Sequence, residues 1–415
     1  MRFGLAALLA PLFTACIAFA GAPTMTIHEW GTFTNLQDEA GKSIGGINSD
    51  DEPLPAFTHN LKWEWSVGDA SEQRVRSPFV KGFPRAHPDV TLRLETPVLY
   101  FHPSTPGWPS PVDVHVEFHG GFLTQFYPDA SAGKVEGHIT ANTTGRLDWT
   151  GLTIGGQHPG PQTDFRVWTA PRQVAAAEVT TPKHESERYL FYRGVGHIDA
   201  PIRLVRNNGM LQLHGQLDPA FGPSKQLRIP RLWFCEFRED GTAAFREVTP
   251  LSVSSEAKPI LANIDPNFSK SDFASDRLAT LKGQMRAALI KQGLFGDEAD
   301  ALLNTWELSY FKSSGVRLFY IVPREWTEHY LPLRTVPTFA ISRAMVGRID
   351  LVTPEQRELL RDMSNHPSAA ANDPAVWHDY VLLGRFRNAL VLDELKHHPT
   401  DGLQAFIRVH ALEPG

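Results

Sequence analysis

Two cysteines in 415 residues leave almost no scope for covalent cross-linking. Cys16 falls in an N-terminal segment that reads as removable, so Cys235 is the only thiol expected in the processed chain and no intrachain disulfide can form. A chain of several hundred residues buries a sufficient core without one. The sequence also lacks C-x-x-C, H-E-x-x-H, G-x-S-x-G and a phosphate-cradling P-loop, which removes the usual signals for dithiol redox chemistry, zinc proteolysis, serine hydrolysis and nucleotide binding. Arg193-Gly194-Val195-Gly196 lacks the third glycine and the strand-to-helix setting of a dinucleotide fold. There is no long basic run and the formal net charge is -6, which argues against a nucleic-acid partner. Beyond the N-terminus no apolar stretch reaches the ~20 residues of a bilayer span, so no transmembrane span is expected in the mature chain.

What is present is an ordinary globular composition, 42% hydrophobic and 21% charged, with 32 Gly and 32 Pro spread along the chain. That distribution suits many short strands joined by turns better than a helical bundle. Met1 to Ala20 reads as an export signal: Arg2 supplies the positive end, Leu5 to Ile17 the apolar segment, and Ala18-Phe19-Ala20 the cleavage site. The expectation is an exported, soluble protein of the periplasm or extracellular space, with a lipoprotein anchored at Cys16 as the alternative.

The fold class expected is mainly β with an α+β C-terminal part. Residues 21–266 read as a β-rich, sandwich-like or barrel-like core, and residues 267–415 as a smaller helical and strand region packed against it. In the first part, Thr26 to Thr34 alternates so that His28, Trp30, Thr32 and Thr34 share one face while Ile27, Glu29 and Phe33 share the other. Val90 to His102 is a long β-prone run in which Pro97 forces an edge or a bulge. In the second part, Val316 to Pro323 is a strand, Thr353-Pro354-Glu355-Gln356 opens a helix, Asp373-Pro374 opens a longer one ending near His398, and Leu403 to Leu412 reads as a closing strand.

Candidate chemistry centres on Val112 to His119. Val112, Val114, Val116 and Phe118 alternate with Asp113, His115, Glu117 and His119, so one face of the strand carries two imidazoles and a carboxylate. That is a ligand set for zinc, iron or copper, and it competes with a plain solvated sheet face. Same-face neighbours stand about 6.6–7 Å apart, so convergence of His115, Glu117 and His119 needs local bending, which Gly120-Gly121 can supply. Glu325 and His329 fall at i,i+4 on a short predicted helix, a spacing suited to a general base or to a surface pair. Trp63 and Trp65 share a face and would form an aromatic platform for a sugar if exposed. Asn48, Asp50 and Glu52 have alternate oxygens in a glycine-rich acidic turn, without the full calcium-loop pattern. A copper brace would need a histidine at the mature N-terminus, and cleavage after Ala20 leaves His28 inside the chain.

Three phrases, His28-Glu29-Trp30-Gly31-Thr32-Phe33-Thr34, Leu94-Glu95-Thr96-Pro97-Val98-Leu99-Tyr100-Phe101 and Phe191-Tyr192-Arg193-Gly194, resemble recurring phrases of exported bacterial proteins of unassigned activity that share an HEWGTFT-type motif. The resemblance covers scattered segments of most of the mature chain. It implies export and a shared fold, and it supplies no substrate, cofactor or catalytic residue. Two functional classes stay open: a cell-envelope protein that binds an extracellular polymer such as a carbohydrate, and a metal-dependent enzyme, hydrolase or oxidoreductase, built on His115, Glu117 and His119 with His28 or His102 nearby.

Overall fold

The computed structural model describes residues 24–49, 53–61, 79–80, 83–105, 107–133, 138–156, 158–255 and 260–413. Met1 to Ala20, Asp50 to Glu52, Trp63 and Trp65 lie outside the described residues. The protein is mainly β, with one large mixed sheet and its longer helices gathered in the last third of the chain. The sheet is an open path that does not close into a barrel. It passes through Gly121–Tyr127, Leu190–Gly196, Leu92–Pro103, Met25–Gln37, Ala340–Leu351, Gly315–Ile321 and Leu232–Phe237. Met25–Gln37 therefore lies near its middle, antiparallel to Leu92–Pro103 and parallel to Ala340–Leu351. The last 150 residues are thus more than a layer packed on a β core: Gly315–Ile321 and Ala340–Leu351 are inner strands of the same sheet.

A sandwich-like arrangement follows from how the remaining strands fold over. Val112–His119 pairs with Thr144–Ile154 and with Leu333–Val336. Its Val112, Val114, Val116 and Phe118 point inward against Ile27, Phe33, Leu94, Leu99 and Phe101 of the central strands. Burial of that alternating valine set stabilises the layer by roughly 1.5–3 kcal/mol per side chain. The opposite face of the central strands carries Trp30, Val98 and Tyr100. It is covered by the helices Arg277–Lys291 and Gly296–Thr305 through Leu281, Met285, Leu302 and Trp306.

The parity of the two central strands is reset by a bulge. Trp30 lies opposite Val98 and Thr32 opposite Glu95, so Thr96 and Pro97 together face Gly31. Thr96 takes φ 47°, and a side chain on Gly31 would press on the Pro97 backbone at 3.0 Å. Pro97 thus sits in an inner strand, tolerated because the bulge removes the ladder bond that its missing N–H would have made. As a result Arg93 and Glu95 before the bulge, and Tyr100 and His102 after it, all project to the helix side of the sheet.

The C-terminal region departs from its sequence pattern in two places. Asp401–Val409 is a helix, not a closing strand, with the Thr400 hydroxyl accepting the Leu403 N–H at its start. Leu403, Phe406 and Ile407 recur at helical spacing and pack against Leu360, Met363 and Tyr380. The single long helix expected from Pro374 is two, Pro374–Leu382 and Arg387–His397, parted at Gly384 with φ 83°.

Candidate metal centre

The alternation that turns Ile27, Glu29 and Phe33 to the strand layer turns His28 to the helix layer. His28 pairs with Tyr100 across the strands, which makes His102 its diagonal neighbour on the same face. Above them lies the start of Gly296–Thr305, whose Glu298 is fully buried. Glu298 Oε2 accepts a hydrogen bond from His28 Nδ1 at 2.7 Å, and Oε1 accepts one from His102 Nε2 at 2.9 Å. Because an ionised carboxylate only accepts, each of those ring nitrogens carries its hydrogen here. Burial alone would raise the Glu298 carboxyl, but the hydrogen bonds from His102, His28 and the Phe295 N–H hold it at about 2.

Glu298 is at the third position of its helix, and Oε2 accepts the Phe295 N–H at 2.6 Å, closing the first turn. The Phe295 ring covers both imidazoles, with centroids 4.5 Å from His28 and 4.9 Å from His102. The ring is itself half exposed. His102 is the member that reaches outward: it borders a cleft of about 590 Å³ walled by Ser104, Thr105, Gly155 and Ala175 to Ala177. That wall is tied to the helix, since Asp297 Oδ2 accepts the Ala175 N–H at 2.9 Å.

One ligand atom from each of His28, His102 and Glu298 lies within 4.8 Å of the others. Two imidazoles and a carboxylate form a three-ligand set that leaves a fourth position open. With ligand bonds of ~2.0–2.1 Å, tetrahedral ligand atoms stand about 3.3 Å apart, so the two hydrogen-bonded contacts have to open by about half an ångström. In that exchange the ion takes the place of the two ring hydrogens. His87, Asp89 and His138 form a second such group, but the His138 side chain is 84% exposed and the group sits at the surface.

His115, Glu117 and His119 are not gathered into one ligand set. Each has its own partner: His115 Nδ1 meets Asp148 Oδ1 at 2.6 Å and Glu117 meets Arg146 at 3.1 Å on the neighbouring strand, and His119 Nδ1 donates to the His329 carbonyl of the helix Arg324–Tyr330 at 2.7 Å. His119 Nε2 also lies 3.2 Å from Glu117 Oε2. The strand stays extended up to Gly120, so His119 reaches Glu117 while His115 stays apart on Asp148. Their face is a cross-strand polar ladder.

Glu325 and His329 do lie on a helix, Arg324–Tyr330, but Glu325 is exposed and the i,i+4 pair this helix makes is Arg324 with Glu328. The His329 ring packs on Phe221 at 4.2 Å, and burial there lowers its proton affinity. Among the described tryptophans, Trp30, Trp149, Trp168, Trp233, Trp306 and Trp326 are fully buried core residues, whereas Trp377 is 44% exposed. Cys235 is fully buried, with Sγ 3.6 Å from the Trp233 carbonyl, and burial pushes its thiol well up.

Glu298 is the residue that the sequence hid. A glutamate three places into a helix reads as a capping residue, which it also is. The signal available was the bulge: counted through Pro97, it puts His102 on the face of His28.

No family model matches the chain, and no curated protein matches it. Among solved structures, the Fcho1 Mu homology domain from Danio rerio with bound Eps15 peptide aligns over 80% of this chain and 95% of its own. The identity is 9% and the TM-score 0.25. No helix among the described residues is long and apolar enough to cross a membrane.

Proposed function

We propose that this is an exported metal-dependent enzyme holding one divalent transition-metal ion at His28, His102 and Glu298. Convergence of those three side chains, with His102 bordering a cleft, is the observation that carries the reading. A purely structural zinc site is closed by four protein ligands, whereas three ligands beside open space leave room for water and substrate. The ion would supply Lewis acidity and an activated water. The protein supplies a buried, ionised carboxylate and a Phe295 ring that shields the ligands from bulk water. Zinc and iron(II) both accept two histidines and a carboxylate, so either ion fits the donor set.

Elemental analysis of protein purified without a histidine tag or chelator tests this. About one equivalent of metal is expected in the wild type and in His115→Ala/His119→Ala, with loss in His102→Ala and in Glu298→Gln. Glu298→Gln keeps an acceptor for the Phe295 N–H, so circular dichroism should show it folded. Absence of metal from the wild type after reconstitution, or retention by both folded variants, refutes the assignment.

A further inference from the structure

His87 and Asp89 sit on a turn that the sequence makes stiff. The Val90 N–H donates to the His87 carbonyl at 3.0 Å, and Pro88 holds the second position of the turn, where its fixed φ fits. Ala86 and Val90 on either side are buried, and the Pro88 carbonyl lies so close to Gly45 that a Cβ there would collide with it. His197 Nδ1 donates to the Asp89 carbonyl at 2.9 Å and pins the turn again. Two potential metal ligands, one residue apart, are therefore held by a well-anchored backbone.

His138 comes to them from another segment. Its neighbour Ile139 is buried in the same apolar cluster as Val90, and the Thr143 N–H closes on the Thr140 carbonyl at 3.0 Å just beyond. His138 Nδ1 lies 3.1 Å from Asp89 Oδ2, and His87 Nδ1 lies 3.9 Å from the same oxygen. One ligand atom from each of the three lies within 4.8 Å of the others. His87 Nδ1 also accepts the Asp89 N–H at 3.3 Å, so that nitrogen carries no hydrogen and turns a lone pair towards Asp89. A surface ion pair accounts for one imidazole on Asp89 and not for two. Two neutral imidazoles and a carboxylate are a donor set for a divalent transition metal.

We propose that His87, Asp89 and His138 bind a second, exchangeable transition-metal ion, zinc or copper(II), which clips the Pro88 turn to the segment leading into Thr144–Ile154. The 3.9 Å between His87 Nδ1 and Asp89 Oδ2 narrows to about 3.3 Å when both take bonds of ~2.0–2.1 Å to one tetrahedral ion. The side chains of His87 and Asp89 are 13% and 27% exposed, and the outlying His138 ring turns inward to complete the set. With one ligand largely in water, this outer ion leaves on dialysis, so the purified chain keeps its one equivalent at the inner centre. The site shares no residue with His28, His102 and Glu298 and stands whether or not they hold metal.

Calorimetric titration with zinc chloride, on chain stripped by chelator and dialysis, tests the proposal in the Glu298→Gln variant, where the inner centre does not contribute. One zinc per chain is expected at micromolar concentrations, and the thermal unfolding midpoint should rise as zinc is added. His138→Ala and Asp89→Asn, each added to Glu298→Gln, should weaken zinc at least tenfold with an unchanged circular dichroism spectrum. His397→Ala removes another exposed histidine with a carboxylate 3.5 Å away and should leave the isotherm unchanged. If Glu298→Gln fails to fold, the same variants are read in the wild-type chain, where they should remove the weaker zinc equivalent. Absence of zinc binding by folded Glu298→Gln, undiminished affinity in folded His138→Ala and Asp89→Asn, or an equal loss in His397→Ala overturns the assignment.

Discussion

Replacing Arg343 with methionine strands the Glu29 carboxylate in the centre of the sheet, and the cost can be worked out from the geometry. Glu29 has no exposed surface, and its remaining partner would be the Tyr192 hydroxyl. Two charges about 4 Å apart at an effective dielectric near 20 attract by about 4 kcal/mol. Breaking a buried pair from one side typically costs ~3–5 kcal/mol, whereas removing both charges is often close to neutral. Arg343→Met and Glu29→Gln are therefore each expected to lose about 3–5 kcal/mol. The double variant should lose much less than their sum, giving a coupling energy above ~2 kcal/mol. Urea unfolding followed by tryptophan fluorescence and circular dichroism measures this where the two transitions coincide. Additive losses, or a loss under ~1 kcal/mol for Arg343→Met, would refute the claim that this pair is a desolvated element of the core.

Two further outcomes follow from the same core. Gly347 lies opposite Tyr320, and an added Cβ would run into the fully buried ring, so Gly347→Ala should cost at least ~1–3 kcal/mol in the same urea assay; unchanged stability would show slack that the packing does not have. Cys235, with its thiol pushed up by burial, should resist Ellman's reagent in a Cys16→Ser background until urea unfolds the chain. Stoichiometric labelling of the folded protein within minutes would contradict its placement.

The strand layer was readable because its sequence period matches its burial: Val112 to His119 alternates without exception, and so does the pattern of buried and half-buried positions. Along Met25–Gln37 both faces are buried, so Ile27, Glu29 and Phe33 part from His28, Trp30 and Thr32 by parity and not by burial. The ligand set was not readable from that pattern, since alternation tells which residues share a face and not whether they meet. His115 and His119 share a face and go to Asp148 and the His329 carbonyl. His28, His102 and Glu298 are 270 residues apart at their extremes and meet through a strand pairing, a bulge and a helix crossing. The final helix Asp401–Val409 was missed because Leu403 to Leu412 holds enough β-branched and aromatic residues to read as a strand, while the Thr400 cap, the decisive local signal, lies outside that run.

The central strand also separates the proposed metal centre from ordinary core polarity. Several polar side chains along it are held by partners suited to burial. Glu29 meets Arg343 and Tyr192, Thr32 meets Tyr310, and Thr34 donates to Glu95. Asn35 donates to the Thr91 and Ile198 carbonyls, and Gln37 bridges Ile202 and Leu204. Glu298 differs. Its helix-capping task needs one oxygen and the Phe295 N–H, and a glutamine in that place would do it without a buried charge. Adding two imidazoles, one of them facing a cleft, builds a charged cluster that capping does not require and that desolvation penalises. Two imidazoles converging on one ionised carboxylate, with a cleft beside His102, suit the proposed divalent cation and are what helix capping leaves unexplained.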